Sequence, residues 1–124
     1  MTRTRASAKK AGTAFETSIA GYLAEHVDDR IERRAKTGAK DRGDIGGVRL
    51  HGHRLVLECK NTAKTTLGPW QAEAETERGN DDALAGLVVH KRHGKGQPGD
   101  QWVTMTVADL VALLTLSRDH LNDL

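Results

Sequence analysis

Apolar residues recur along the chain at helical and at strand spacing, and each run predicts an element. Phe15, Ile19, Tyr22 and Leu23 fall at helical intervals, which predicts a first helix over residues 13–26. Residues 45–50 and 55–60 read as strands, separated by His51-Gly52-His53, a short connection of the hairpin type. Pro69 sits at a first helical position and Gly79 where a helix would end, so a second helix follows, polar over most of its surface. Residues 84–90 form a mostly buried strand, and residues 102–105 its neighbour across a Gly- and Lys-rich loop. Thr106 with Asp109 resembles a capping box, and Val107, Leu110, Val111 and Leu114 make one face of a last helix. Residues 30–36 are polar and fit at most an edge strand. The order helix, strands, helix, strands, helix implies an α/β fold, with no internal repeat and no heptad run.

The 124 residues suffice for one domain, expected over 13–124. Residues 1–12 carry Arg3, Arg5, Lys9 and Lys10 without an acid and have almost nothing to bury, so they are expected as a flexible basic arm. The net charge of +2 hides an asymmetry: residues 1–64 hold 14 Lys and Arg against 8 acids, and residues 65–124 hold 5 against 9. The basic half is the first. With four aromatic residues, aliphatic packing must supply the core, and no aromatic ladder is present to stack bases as in a single-strand binding module. Cys59 is the one cysteine, which excludes an internal disulfide and fits a reducing, cytoplasmic setting. No apolar run approaches the roughly 20 residues of a membrane helix, and the basic N-terminus has no apolar run behind it, so neither export nor a membrane partner is expected.

Chemistry concentrates in the hairpin. In residues 55–60, alternation puts Leu55, Leu57 and Cys59 on one strand face and Val56, Glu58 and Lys60 on the other. A three-residue turn at His51-Gly52-His53 would pair Val48 with Val56, Gly46 with Glu58 and Asp44 with Lys60, bringing two carboxylates and an amine to one face. A two-residue turn would shift Asp44 to the apolar face, and the Gly46-Gly47 pair is suited to a bulge that re-aims it. Two such carboxylates would close on one small cation, and Mg²⁺ or Mn²⁺ prefers oxygen ligands, polarises a phosphodiester and acidifies water. Lys60 would orient the water or stabilise charge on the phosphoryl oxygens. His51 and His53 lack a second ligand pair at zinc spacing and read as turn residues, and Cys59 as packing. His90 and His93 with Lys91, Arg92 and Lys95 suggest a phosphate-binding loop, and the Gly-rich residues 92–100 are expected to be mobile.

Gly43-Asp44, a 13-residue gap and Glu58-Cys59-Lys60 resemble the bipartite signature of the PD-(D/E)XK nuclease superfamily, and Phe15-Glu16 resembles its upstream acidic motif. The run 57–61 with Leu67, Trp70 and Gln71, then residues 88–92 and 102–105, is similar to small Holliday junction resolvases of actinobacterial phages and their archaeal-type relatives. The resemblance spans nearly all of the chain beyond the arm. It implies a single nuclease domain with a restriction-endonuclease-like mixed sheet flanked by helices. It also implies a homodimer, and Mg²⁺-dependent incision of branched double-stranded DNA such as a four-way junction. Carried over by motif, Glu16, Asp44 and Glu58 would be metal ligands, Lys60 the catalytic lysine and Gln71 a polar active-site residue. Gly43 replaces the motif's proline, which makes Asp41 the fallback ligand. Arg33, Arg34, Lys36, Lys40 and Arg42, just before Asp44, would hold phosphates beside the cut, and Arg3, Arg5, Lys9 and Lys10 would add contacts from the arm. Two other readings share these residues: a repair or restriction nuclease of the same fold, and a noncatalytic DNA-binding protein.

Overall fold

The computed structural model describes residues 3–35 and 40–123. Its first helix, α1 (Arg5–His26), starts eight residues earlier than the apolar spacing alone predicts. Thr4 caps it by accepting the Ser7 N–H at 3.1 Å, and the following Ala- and Lys-rich turns favour helix without needing a core to pack on. The stretch expected as an arm is therefore helical from Arg5 onward, although Arg5, Lys9 and Lys10 remain exposed. Phe15, Ile19 and Ala20 are the buried residues of α1.

Six strands are present among the described residues: β1 (Glu32–Arg33), β2 (Ile45–Gly46), β3 (Arg49–Leu50), β4 (His53–Lys60), β5 (Ala85–His90) and β6 (Trp102–Thr104). They form a mixed sheet in the order β1-β2-β4-β5-β6, with β3 pairing β4 off that path. β4 and β5 are parallel and every other pairing is antiparallel. The parallel pair requires a crossover, and α2 (Leu67–Asp81) supplies it. The fold is thus mixed α/β, as the element order implies.

Each sheet face takes one helical layer. On one, Phe15 and Ile19 of α1 pack with Ile31, Ile45, Leu57, Cys59 and Val89. On the other, Trp70 and Ala74 of α2 pack with Val88. Gly86 lets α2 approach β5 closely, because a Cβ there would lie 2.6 Å from the Ala74 carbonyl oxygen. Gly86→Ala is expected to destabilise the protein by about 2 kcal/mol through overpacking, read as a lower urea midpoint with an unchanged slope.

α2 does not end at Gly79. It continues to Asp81 and closes on Asp82 in the left-handed region, with φ of 49°. Arg54 holds this last turn, its Nη2 donating to the Asp81 carbonyl at 2.7 Å. α3 (Val107–Thr115) begins at the expected cap, Thr106 accepting the Asp109 N–H at 3.1 Å. Its apolar residues Val107, Leu110 and Leu114 are nevertheless exposed. The inward positions go to Ala112 and to Asp109, which ion-pairs with Arg118 at 2.8 Å. A buried carboxylate held by a guanidinium fixes the rotation of this short helix more strongly than exposed leucines can.

The hairpin departs from the expected register twice. Its turn has two residues, with Leu50 opposite His53, and both His51 and Gly52 adopt positive φ (48° and 83°) as a tight primed turn requires. A bulge then follows. Leu55 N–H donates to Val48 O while Ile45 pairs with Leu57, so Gly46 and Gly47 together face Val56. Each feature shifts the pairing by one residue. Together they displace it by two, and Asp44 is delivered to Glu58 and not to Lys60. The three-residue turn is thus corrected, and the bulge keeps Asp44 from the apolar side.

Candidate metal centre

Strand alternation in β4 aims Leu57 and Cys59 at the α1 layer and Glu58 and Lys60 at the α2 layer. Glu58 and Lys60 line a cleft of about 630 Å³ with Asp41, Pro69, Ala72, Glu73, Thr76 and Glu77. Within it, carboxylate oxygens of Asp41, Glu58 and Glu77 lie within 4.8 Å of one another. Asp44 joins them from the side: its N–H donates to Leu57 O at 2.9 Å, and its Oδ2 accepts the Cys59 N–H at 2.7 Å. That carboxylate oxygen stands where a neighbouring strand's carbonyl would otherwise continue the ladder.

The segment before Asp44 is shaped for this approach. Gly43 has φ of 99°, and a Cβ there would meet Leu57 O and Val56 Cγ1 at 3.0 Å. Proline, locked near a φ of about −65°, could not occupy this position. Gly43 N–H donates to Asp41 Oδ1, and Asn80 of α2 donates to the Asp41 carbonyl, both at 2.9 Å. Asp41, named from sequence only as a substitute ligand, is thereby brought to Glu58.

Burial dominates the electrostatics. Glu58 and Glu77 are both almost inaccessible to water. Burial pushes the Glu58 carboxyl up to about 8, and the adjacent Glu77 adds to the rise, against opposing effects of Asp44 and Lys60. Burial likewise raises Glu77 to about 7. Neither Glu58 Oε2 nor Glu77 Oε2 has a hydrogen-bond donor. Two buried acids this close, each with an oxygen that lacks a donor, either share a proton or coordinate a cation. A hard, oxygen-preferring divalent ion fits this donor set. The ammonium of Lys60 lies 2.7 Å from Glu73 Oε2 and 4.0 Å from Glu58 Oε1. Burial acts against its charge, but the Glu73 hydrogen bond and the charges of Glu58, Glu73 and Asp44 outweigh it and keep the amine protonated.

Of the acids read from sequence, the structure unites Asp44 and Glu58 but leaves Glu16 apart. Glu16 accepts from Arg33 at 2.9 Å and lines a separate cleft with Lys9, Gly12 and Thr13. Its helix packs on the face of Leu57 and Cys59, opposite the one to which Glu58 points. Gln71 is also displaced: its Nε2 donates to Gly86 O at 3.1 Å and Asp109 Oδ2 at 3.2 Å. At 100° per residue, Gln71 and Glu73 fall on opposite flanks of the buried Trp70–Ala74–Glu77 stripe, so only Glu73 reaches the cleft. Cys59 is buried packing, its thiol pushed up by burial.

The basic residues expected beside the cut are mostly engaged within the chain. Arg33 is paired with Glu16, Arg42 lies 3.7 Å from Asp81, and Arg34 donates to the Arg42 carbonyl and packs over Gly46. Lys40 is exposed, and Lys36 lies outside the described residues. Arg3 donates to Asn61 O at 2.9 Å.

Glu77 and Glu73 were not singled out from sequence. For Glu77 a signal existed: Trp70, Ala74, Glu77 and Asp81 follow one helical stripe, and an acid within the sole buried stripe of a polar helix requires a partner. Glu73 carried none, since an exposed helix glutamate is ordinarily solvated. No helix among the described residues is long and apolar enough to cross a membrane. Comparison with family models, with curated proteins and with solved structures found no match.

Proposed function

We propose that this chain is a divalent-cation-dependent endonuclease of the restriction-endonuclease-like PD-(D/E)XK type, and that its substrate is branched DNA, resolved at four-way junctions by a homodimer. One observation carries the nuclease reading: Asp41, Glu58 and Glu77 converge within 4.8 Å beside Asp44, and Lys60 projects from the same strand face as Glu58. The substrate geometry and the dimer rest on the sequence resemblance.

In this reading Asp41, Glu58 and Glu77 hold Mg²⁺ or Mn²⁺, with Asp44 adjoining them. The bound ion supplies a Lewis acid for the phosphate and acidifies a water. The protein's own contributions follow from position and charge. Glu58 is almost buried at the floor of the cleft, so its charge acts through a lower dielectric than that of an exposed carboxylate. Lys60 presents a fixed ammonium at the cleft wall, where it offsets negative charge that builds on phosphoryl oxygens during displacement. Glu73 keeps that amine protonated and restricts its rotamers.

The test is incubation of the purified protein with a labelled immobile four-way junction, with and without Mg²⁺. Paired nicks on the junction, dependent on the ion and scarce on linear duplex, are expected. Equal cutting of linear duplex would favour a repair or restriction nuclease. Absence of any ion-dependent product over a range of salt and pH would leave a noncatalytic DNA-binding protein.

A further inference from the structure

A basic loop from the acidic half of the chain joins cations from the basic half at one end of the sheet, where β4 and the parallel β5 both finish. Ligands of open α/β sheets commonly bind beyond the carboxyl ends of parallel strands. Register places Lys60 opposite His90, and His90 opposite Trp102, so these three residues form one row across β4, β5 and β6 on the α2 face. Adjacent strands are about 4.8 Å apart, which puts Trp102 about 10 Å from Lys60. Trp102 is half exposed, and the Arg92 guanidinium lies over its ring, 4.4 Å from the centroid.

Arg92 is held in place. Its backbone N–H donates to Gln101 Oε1 at 2.7 Å, and the ring beneath limits the guanidinium to a plane. Further cations reach the same end of the sheet from three separate segments. Lys91 N–H donates to Lys60 O and its ammonium to Lys95 O, His93 Nε2 lies 3.2 Å from Thr62 O, and Arg3 reaches Asn61 O. Loop 91–95, the turn 61–64 and the start of α1 thus abut. Among the described residues, Arg3, Lys64, Lys91, Arg92 and Lys95 form no ion pair, in contrast to Arg33 and Arg42.

We infer that loop 91–95, with Arg92 clamped on Trp102, is a phosphate-backbone site for duplex DNA that continues the strand running past Lys60. This deepens the proposed nuclease reading and rests on it for the choice of DNA. Each strand of a duplex carries one phosphate per about 3.4 Å of axis, so the span of about 10 Å from Lys60 to Trp102, over whose ring Arg92 lies, corresponds to about three phosphates. A planar guanidinium held against a ring offers two parallel N–H donors to a phosphate. The site supplies affinity and register, with no choice of sequence.

The experiment measures binding of a fluorescent duplex and a four-way junction by anisotropy over a series of salt concentrations, with EDTA present. In Arg92→Gln/Lys95→Gln, affinity at the higher salt should fall roughly tenfold and the slope of log K on log salt should decrease by about 2, one per lost phosphate contact. Trp102→Phe, which leaves the charge in place, should weaken binding less and leave the slope unchanged. Arg30→Gln removes a cation already paired with Asp28 and should change neither. An unchanged slope in the double variant, an equal loss in Arg30→Gln, or no duplex binding by the wild type would each overturn the inference. Cation-dependent cutting is scored separately. Binding with these slopes but no cutting upholds this surface and defeats the nuclease, whereas cutting with unaltered slopes does the reverse.

Discussion

Glu58→Gln is expected to abolish cation-dependent incision, with a rate loss on the order of a thousandfold or more, while raising the melting temperature at pH 8 by roughly 3–5 °C. The two effects have one cause. Glu58 is buried against a second acid, and its Oε2 receives no hydrogen bond. Glutamine keeps the shape, removes an ionisable group from a site that opposes ionisation, and brings an amide that can donate to Glu77. A structural acid would behave differently: removing a carboxylate that anchors the fold lowers stability. Nuclease assays and calorimetry on the same preparation separate the cases. A stabilised variant that still cuts would eliminate Glu58 as a ligand, and a destabilised one would show that it is held by contacts of another kind.

Stability of the cation-free protein should decline as pH rises from about 5 to about 8. In the folded state the carboxyls of Glu58 and Glu77 lie at about 8 and about 7, pushed there chiefly by burial. In the unfolded chain both return to about 4.3. Between those limits the folded protein holds more protons than the unfolded one. The slope of unfolding free energy with pH is then negative. The contribution is fully present below the unfolded value and is lost as pH climbs through the folded values. For a domain of this size a fall of roughly 5–10 °C in melting temperature across the window is expected. Millimolar Mg²⁺ or Mn²⁺ should cancel most of it, since a ligand that displaces those protons binds better as pH rises and stabilises only the folded state. Differential scanning calorimetry in EDTA and in excess cation reads both arms. A flat profile in EDTA, or an equal response in Glu58→Gln, would show that this pair does not control the pH dependence.

Much of the architecture was legible from residue spacing, and the failures are informative. Helix α1 extends over residues expected to be free, because a threonine cap and alanine-rich turns make helix without an apolar stripe. The exposure of Val107 and Leu114 reverses the usual meaning of an apolar face, since Asp109 and its partners Arg118 and Gln71 set the rotation of α3. In the site, Glu58 and Lys60 were found from a period of two within one strand. Asp44 was found too, but through a register that the turn and the bulge both altered. Glu16 and Gln71 came only from a resemblance, and the geometry directs both elsewhere.

The amino-acid order by itself settled what lies within one element's reach: where most of the helices and strands run, and that Glu58 and Lys60 leave β4 on the same side as each other and opposite to Cys59. Those properties follow from backbone dihedrals that repeat every two or 3.6 residues. Tertiary structure alone decided which acids Glu58 meets. Asp41 arrives by a glycine with positive φ, and Glu77 by the crossover helix that a parallel β4–β5 pair demands. Neither meeting is encoded in a short window, because each depends on how distant segments pack to bury apolar surface. The carboxylates are gathered, at a cost in ionisation, by that packing.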